Sequence, residues 1–186
     1  STYDPKSELS LINHYFKPDW QDISEDLYLV LQMSLELNAQ SDRAFDVRVG
    51  PLVNLWGFGP DKRQFQAPSQ QDIAALLDQV GSEAIELRSL GEGLFQLRLK
   101  QARYIDLSAI AKGYAVDVLG DFLQQQGINR YLVEVGGEII ANGVKPQQQP
   151  WRIAIEAPND DGRSVQIIIP LSNMGIATSG AVSYTH

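Results

Sequence analysis

The chain has 186 residues, 44% hydrophobic and 20% charged, which is the length and composition of one ordered, packed domain. Its 15 basic and 23 acidic side chains leave a net charge of -8 with no basic run or stripe, which excludes a sequence-independent nucleic-acid binder. The absence of cysteine excludes disulfides, thiolate zinc sites and a cysteine nucleophile.

No apolar run reaches membrane-spanning length and no charged-then-apolar leader opens the chain. Residue 1 is Ser rather than Met, so a fragment or a processed form is expected.

The first predicted helix follows Asp22-Ile23-Ser24, with Ser24 as cap, a stripe of Leu27, Val30, Leu31 and Leu35, and an end before Asp42. A second starts near Ser69 behind Pro68, carries Ile73, Leu76, Leu77 and Val80, and stops at Gly81. Strands are expected at 84–87 and 94–100, where Phe95, Leu97 and Leu99 alternate with Gln96, Arg98 and Lys100, joined as a hairpin across 89–93. A third helix is predicted over 108–126, burying Ile110, Tyr114, Val118 and Phe122 and ended by Gly127. Five further strands are expected at 131–135, 138–142, 151–156, 165–170 and 175–177, with a polar loop at 145–150. This order predicts an α+β fold with a mixed, mainly antiparallel sheet and packed helices.

Several segments carry chemistry. Residues 104–114 place Asp106 at a strand end, Ser108 at a helix start and Lys112 one turn later. Such a junction offers unpaired N–H groups and the positive end of a helix dipole to a phosphate or an adenine ribose. The plainer alternative is that Ser108 caps, Asp106 supports the turn and Lys112 is solvated. A Ser-Lys hydrolase dyad does not fit, because that motif spaces the pair by three and here the spacing is four.

Residues 44–60 hold three glycines, two prolines, Trp56 and Phe58, a bent backbone suited to a binding wall or to an aromatic minicore. The glycines form no Walker or dinucleotide fingerprint. Gly136-Gly137, between Glu134 and Glu138, reads first as a hairpin turn or bulge. His14 reads as structural or exposed, and His186, at a polar strand entry, as a candidate acid-base group.

Taken in order, 1–10, Phe45-Asp46 with 49–59, 105–114, 135–138 and 177–180 resemble the ApbE/Ftp family of FAD:protein FMN transferases along nearly the whole chain. The resemblance implies Mg2+-dependent transfer of FMN from FAD to a threonine hydroxyl of an acceptor protein, with AMP leaving. It implies acceptors among subunits of electron-transfer complexes, and a lipoprotein at the periplasmic side of the inner membrane, anchored through an upstream lipid absent from this chain. By motif, Tyr3, Ala44, Phe45, Asp46, Asp106 and Lys112 would contact FAD, the Ala109 carbonyl would ligate Mg2+, and His186 would lie beside the flavin.

Two departures stand out: Arg48 replaces the family's usual Thr, and its Asp-Tyr-Arg run after Ser179-Gly180 is missing. The expectation is therefore a single ApbE-like domain over 1–186 without the family's N-terminal and C-terminal parts, the latter carrying side-chain metal ligands. A flavin-binding module without transfer and an FAD pyrophosphatase are the alternatives.

Overall fold

A computed structural model of the chain describes residues 4–58, 67–77, 80–102, 104–156 and 165–178. Two compact units divide it, residues 1–110 and 111–186.

The first unit opens with α1 (Glu8–His14), whose N-cap Ser7 accepts from the Ser10 amide. Strand β1 (Gln21–Ile23) leads into α2 (Glu25–Gln40), where Ser24 accepts from the Leu27 amide at 3.3 Å, the expected cap. Glu8 reaches this same cap: one carboxylate oxygen accepts from the Ser24 amide at 2.7 Å and the other from its hydroxyl at 2.6 Å.

After α3 (Gly50–Leu55), α4 (Gln70–Leu77) and a 3-10 turn at Ser82–Ala84 come β2 (Ile85–Gly91) and β3 (Leu94–Leu99). The sheet order is β1-β3-β2, antiparallel throughout. The alternation in β3 works as expected, since Leu97 and Leu99 are fully buried together with Leu31 of α2. Each such side chain contributes about 1.5–3 kcal/mol on leaving water. The opposite face is polar: Glu86 binds Lys100 at 2.6 Å and also Arg98, and those hydrogen bonds, Lys100's first, hold its pKa below the ordinary value.

In the second unit α5 (Ala111–Gln125) packs across β4 (Tyr131–Val135) and β5 (Glu138–Asn142), and β8 (Met174–Ile176) extends this antiparallel sheet. A separate antiparallel hairpin pairs β6 (Trp151–Glu156) with β7 (Val165–Leu171). Every strand pairing among the described residues is antiparallel, so the α+β expectation holds.

Local readings need correction. The third helix begins at Ala111 rather than 108, because residues 108–110 form a turn. Its buried positions are Val116 and Gly120, while Val118 and Phe122, expected inside, are exposed. Gly120 is buried because a Cβ there would lie 2.9 Å from the Tyr131 hydroxyl, which accepts from Gln124 Nε2 at 2.8 Å. Leu77 of α4 is likewise exposed rather than part of a buried stripe. In 44–58 the backbone bends as expected, but Trp56 and Phe58 are exposed rather than buried. α1 and β1 were not foreseen from the sequence.

Candidate functional site

Among the described candidate residues Asp46 is the most heavily bonded. Its Oδ1 accepts from the Ser82 hydroxyl at 2.6 Å and the Arg48 amide at 2.8 Å, and its Oδ2 from the Ser82 amide at 3.0 Å and Asn38 Nδ2 at 3.4 Å. A carboxylate offers about four lone-pair sites, so the chain's own donors fill them. Asp46 thereby ties its loop to the end of α2 and to the 3-10 turn.

The backbone beside it is held as well. The Phe45 carbonyl accepts from Asn38 Nδ2 at 2.6 Å, and the Phe45 amide donates to the Ser41 hydroxyl at 3.0 Å. Ala44 is exposed and Phe45 half-buried, so this fixed corner presents the two residues to solvent. Arg48, the departure from the family pattern, is fully buried, and its Nη1 donates to the Gly81 carbonyl at 3.2 Å.

The same unit brings Asp106 to this corner. Its amide donates to the Val47 carbonyl at 2.7 Å, and a Cβ on the buried Gly50 would lie 2.5 Å from the Tyr104 ring and 3.3 Å from the Asp106 Cβ. Only a glycine at position 50 lets the two segments approach this closely. Upstream, the Asn13 amide group donates to the Ile105 carbonyl at 2.9 Å and accepts from the Ile105 amide at 2.8 Å, copying a β-strand partner. Asp106 Oδ1 then accepts from the Ser108 amide at 2.8 Å, an Asx turn that leads into the exposed Ala109. Asp106 thus does support the turn, as the plainer alternative had it, while Ser108 stands three residues before α5.

Lys112 belongs to the second unit and is far from an idle solvated lysine. Its ammonium donates to the Gly136 carbonyl at 3.0 Å and pairs with Glu138 at 3.2 Å. Gly136 and Gly137 have φ values of 58° and 91°, as a two-residue type I′ hairpin turn between the paired Val135 and Glu138 requires. The hairpin reading of the glycine pair is therefore correct. Glu134 accepts from the Gly137 amide at 3.0 Å, and the Thr178 hydroxyl donates to the Gly137 carbonyl at 3.1 Å.

Tyr3 and His186 lie outside the described residues. His14 is exposed at the end of α1, its Nδ1 2.7 Å from the Ser10 carbonyl oxygen, as its structural reading anticipated. Among the described residues no three His, Asp or Glu side chains converge as a metal site, and no helix is long and apolar enough to cross a membrane. The one metal-ligand candidate they offer, the Ala109 carbonyl, fits Mg2+ only as one protein oxygen in a shell completed by water and substrate phosphate.

Sequence reasoning missed Asn13, Asn38 and Ser82, which act as braces at this corner. No local signal marks Asn13, whose partner is 92 residues away. Ser82 had only a faint one, its place directly after Gly81, whose φ is 141°.

Comparison with known proteins gives one consistent result. A family model described as the ApbE family matches residues 1–185. A protein of Vibrio cholerae serotype O1 called FAD:protein FMN transferase is 44% identical over 182 residues, covering 97% of this chain and 53% of that protein. The Escherichia coli K12 protein of the same name is 37% identical over 181 residues, covering 97% and 52%. Among solved structures, the flavin transferase ApbE from Vibrio cholerae superposes with a TM-score of 0.81 at 42% identity, over 100% of this chain and 60% of that one. The Thermotoga maritima ApbE protein gives 0.81 at 30% identity, over 97% and 57%. The chain spans about half the length of the relatives it matches.

Proposed function

The chain belongs to the ApbE family, and from that membership we propose that the protein carrying it transfers FMN from FAD to a threonine hydroxyl on an acceptor protein. The observation that carries this reading is the 44% identity to an FAD:protein FMN transferase over 97% of the chain. Acceptors among flavoprotein subunits of electron-transfer complexes, and a place at the periplasmic face of the inner membrane through a lipid anchor, belong to the same proposal.

In the reaction, the acceptor hydroxyl oxygen bonds to the FMN-side phosphorus of FAD, the bond from that phosphorus to the bridging oxygen breaks, and AMP departs with that oxygen. The hydroxyl proton goes to a general base, the role we assign to His186. Transfer of this kind depends on placement and charge neutralisation more than on covalent help. Ala44 and Phe45, on the corner braced by Asp46, offer backbone and ring surface to FAD, and Asp106 stands beside them. Lys112 offers a fixed positive charge in a chain whose net charge is -8. Mg2+, when bound with the Ala109 carbonyl among its ligands, supplies the remaining neutralisation of the phosphates.

The test is to incubate the full-length protein with FAD, Mg2+ and an acceptor domain, then separate the products. Flavin fluorescence that stays on the denatured acceptor, with stoichiometric AMP, is the expected result. Free FMN without labelled acceptor would make the protein a pyrophosphatase, and unchanged bound FAD a binding module.

A further inference from the structure

We propose that Glu138 is a positioning residue for Lys112, holding its ammonium ready for the anionic part of the ligand. This rests on the reading of Lys112 as an FAD contact.

An ammonium has three N–H donors. In Lys112 one goes to the Gly136 carbonyl, and the Glu138 carboxylate pairs with the ammonium at 3.2 Å, so the chain holds the charged end from two sides and leaves the rest of it to a ligand oxygen. The Glu138 side chain is 15% exposed and that of Lys112 45%, so the carboxylate is the sheltered partner and the ammonium the accessible one. Lysine stems are flexible, and a site that binds through one must restrict it first.

The restraint extends along the stem. A Cβ on Gly136 would come within 3.0 Å of Lys112 Cδ, so the bare turn is a shelf on which the methylenes lie. Glu134 and Thr178 clamp the neighbouring Gly137 from both sides, which fixes the carbonyl that Lys112 uses. The helix start and the turn are 24 residues apart in sequence, and the lysine joins them. The partner of the Glu138 carboxylate is the lysine ammonium, 3.2 Å away.

Four full-length proteins decide the matter: the parent, Glu138→Gln, Lys112→Ala and the double variant, each titrated with FAD by quenching of flavin fluorescence. Glu138→Gln keeps an oxygen acceptor and removes the charge, and should weaken FAD binding about fivefold. The double variant should bind no worse than Lys112→Ala alone, because Glu138 acts only through the lysine. In turnover the loss should appear in KM for FAD and leave KM for the acceptor unchanged, whereas partial unfolding would lower kcat and spare both.

Gly136→Ala supplies a second route, since it disturbs the lysine stem without touching a carboxylate, and it should show the same non-additivity with Lys112→Ala. If Glu138→Gln weakens FAD equally in the Lys112→Ala background, or has no effect where Lys112→Ala does, the proposal is wrong. If Lys112→Ala itself leaves FAD affinity unchanged, the flavin-contact reading of Lys112 fails and the positioning role falls with it.

Discussion

Asp46 commits its side chain to the chain itself, bracing the corner proposed to meet FAD. Its four hydrogen bonds go to Asn38, Arg48 and Ser82, and what reaches solvent is the neighbouring Ala44 and Phe45. Ser82→Ala removes the shortest of these bonds, from a residue that is 2% exposed, and leaves a charged acceptor underfilled. We expect a loss of about 1.5–3 kcal/mol in urea unfolding, because bonds to ionised groups are the costly ones to delete. A change within about 0.5 kcal/mol, the usual spread of surface substitutions, would mean that Asp46 is held by the other three donors alone. Asp117, on α5, is the residue to test by pH. Burial first and the nearby Asp121 second raise its pKa above the ordinary 3.8. The folded state therefore binds this proton more tightly than the unfolded state, and the ionised carboxylate costs stability at neutral pH. Asp117→Asn should raise Tm at pH 7 by a small amount, and the gain should shrink as pH falls through the raised pKa and vanish below 3.8. A gain independent of pH would point to helix propensity instead.

At the scale of elements, the Ser24 cap joins two helices, since it both starts α2 and receives Glu8 from the first turn of α1. Ser24→Ala should cost about 1 kcal/mol, the usual price of a lost N-cap, and hydrogen exchange should quicken in α1 as well as in α2. Exchange that quickens in α2 alone would show that Glu8 holds without the hydroxyl. The cap of α2 was legible because Ser, two acids and an apolar period follow one another in sequence. The β2–β3 hairpin was legible for a similar reason, a clean alternation on either side of glycines. α1 has seven residues and β1 three, too few to establish a period, so nothing local distinguished them from loop. α5 misled in another way. Its true inner face includes Gly120, which has no side chain to register as apolar and whose merit is the room it leaves for Tyr131. Counting apolar side chains selects Val118 and Phe122 in its place.

For the molecule as a whole, the family and the α+β class were legible because five short motifs in fixed order are more specific than any one of them. The braces around them were not, because Asn13, Asn38 and Ser82 gain meaning only from residues remote in sequence. Each unit also leaves apolar side chains uncovered within this chain, among them Leu77 in the first and Phe122, Val165 and Ile167 in the second. Natural monomers rarely expose wide apolar areas. The 186-residue chain expressed alone should bind anilinonaphthalene sulfonate and scatter light at micromolar concentration, and Ile167→Lys should reduce both; a clear, dye-silent monomer would contradict this.

The pairing of Asn13 with Ile105 sets a timetable for synthesis. It closes a loop across 92 residues, so α1 emerges from the ribosome well before the segment it steadies exists. At roughly 5–20 residues per second, that is a wait of about five to eighteen seconds. During that interval the corner that presents Ala44 and Phe45 waits first for Ser82 and then for Asp106, and so it takes its final form only once residue 106 has been made.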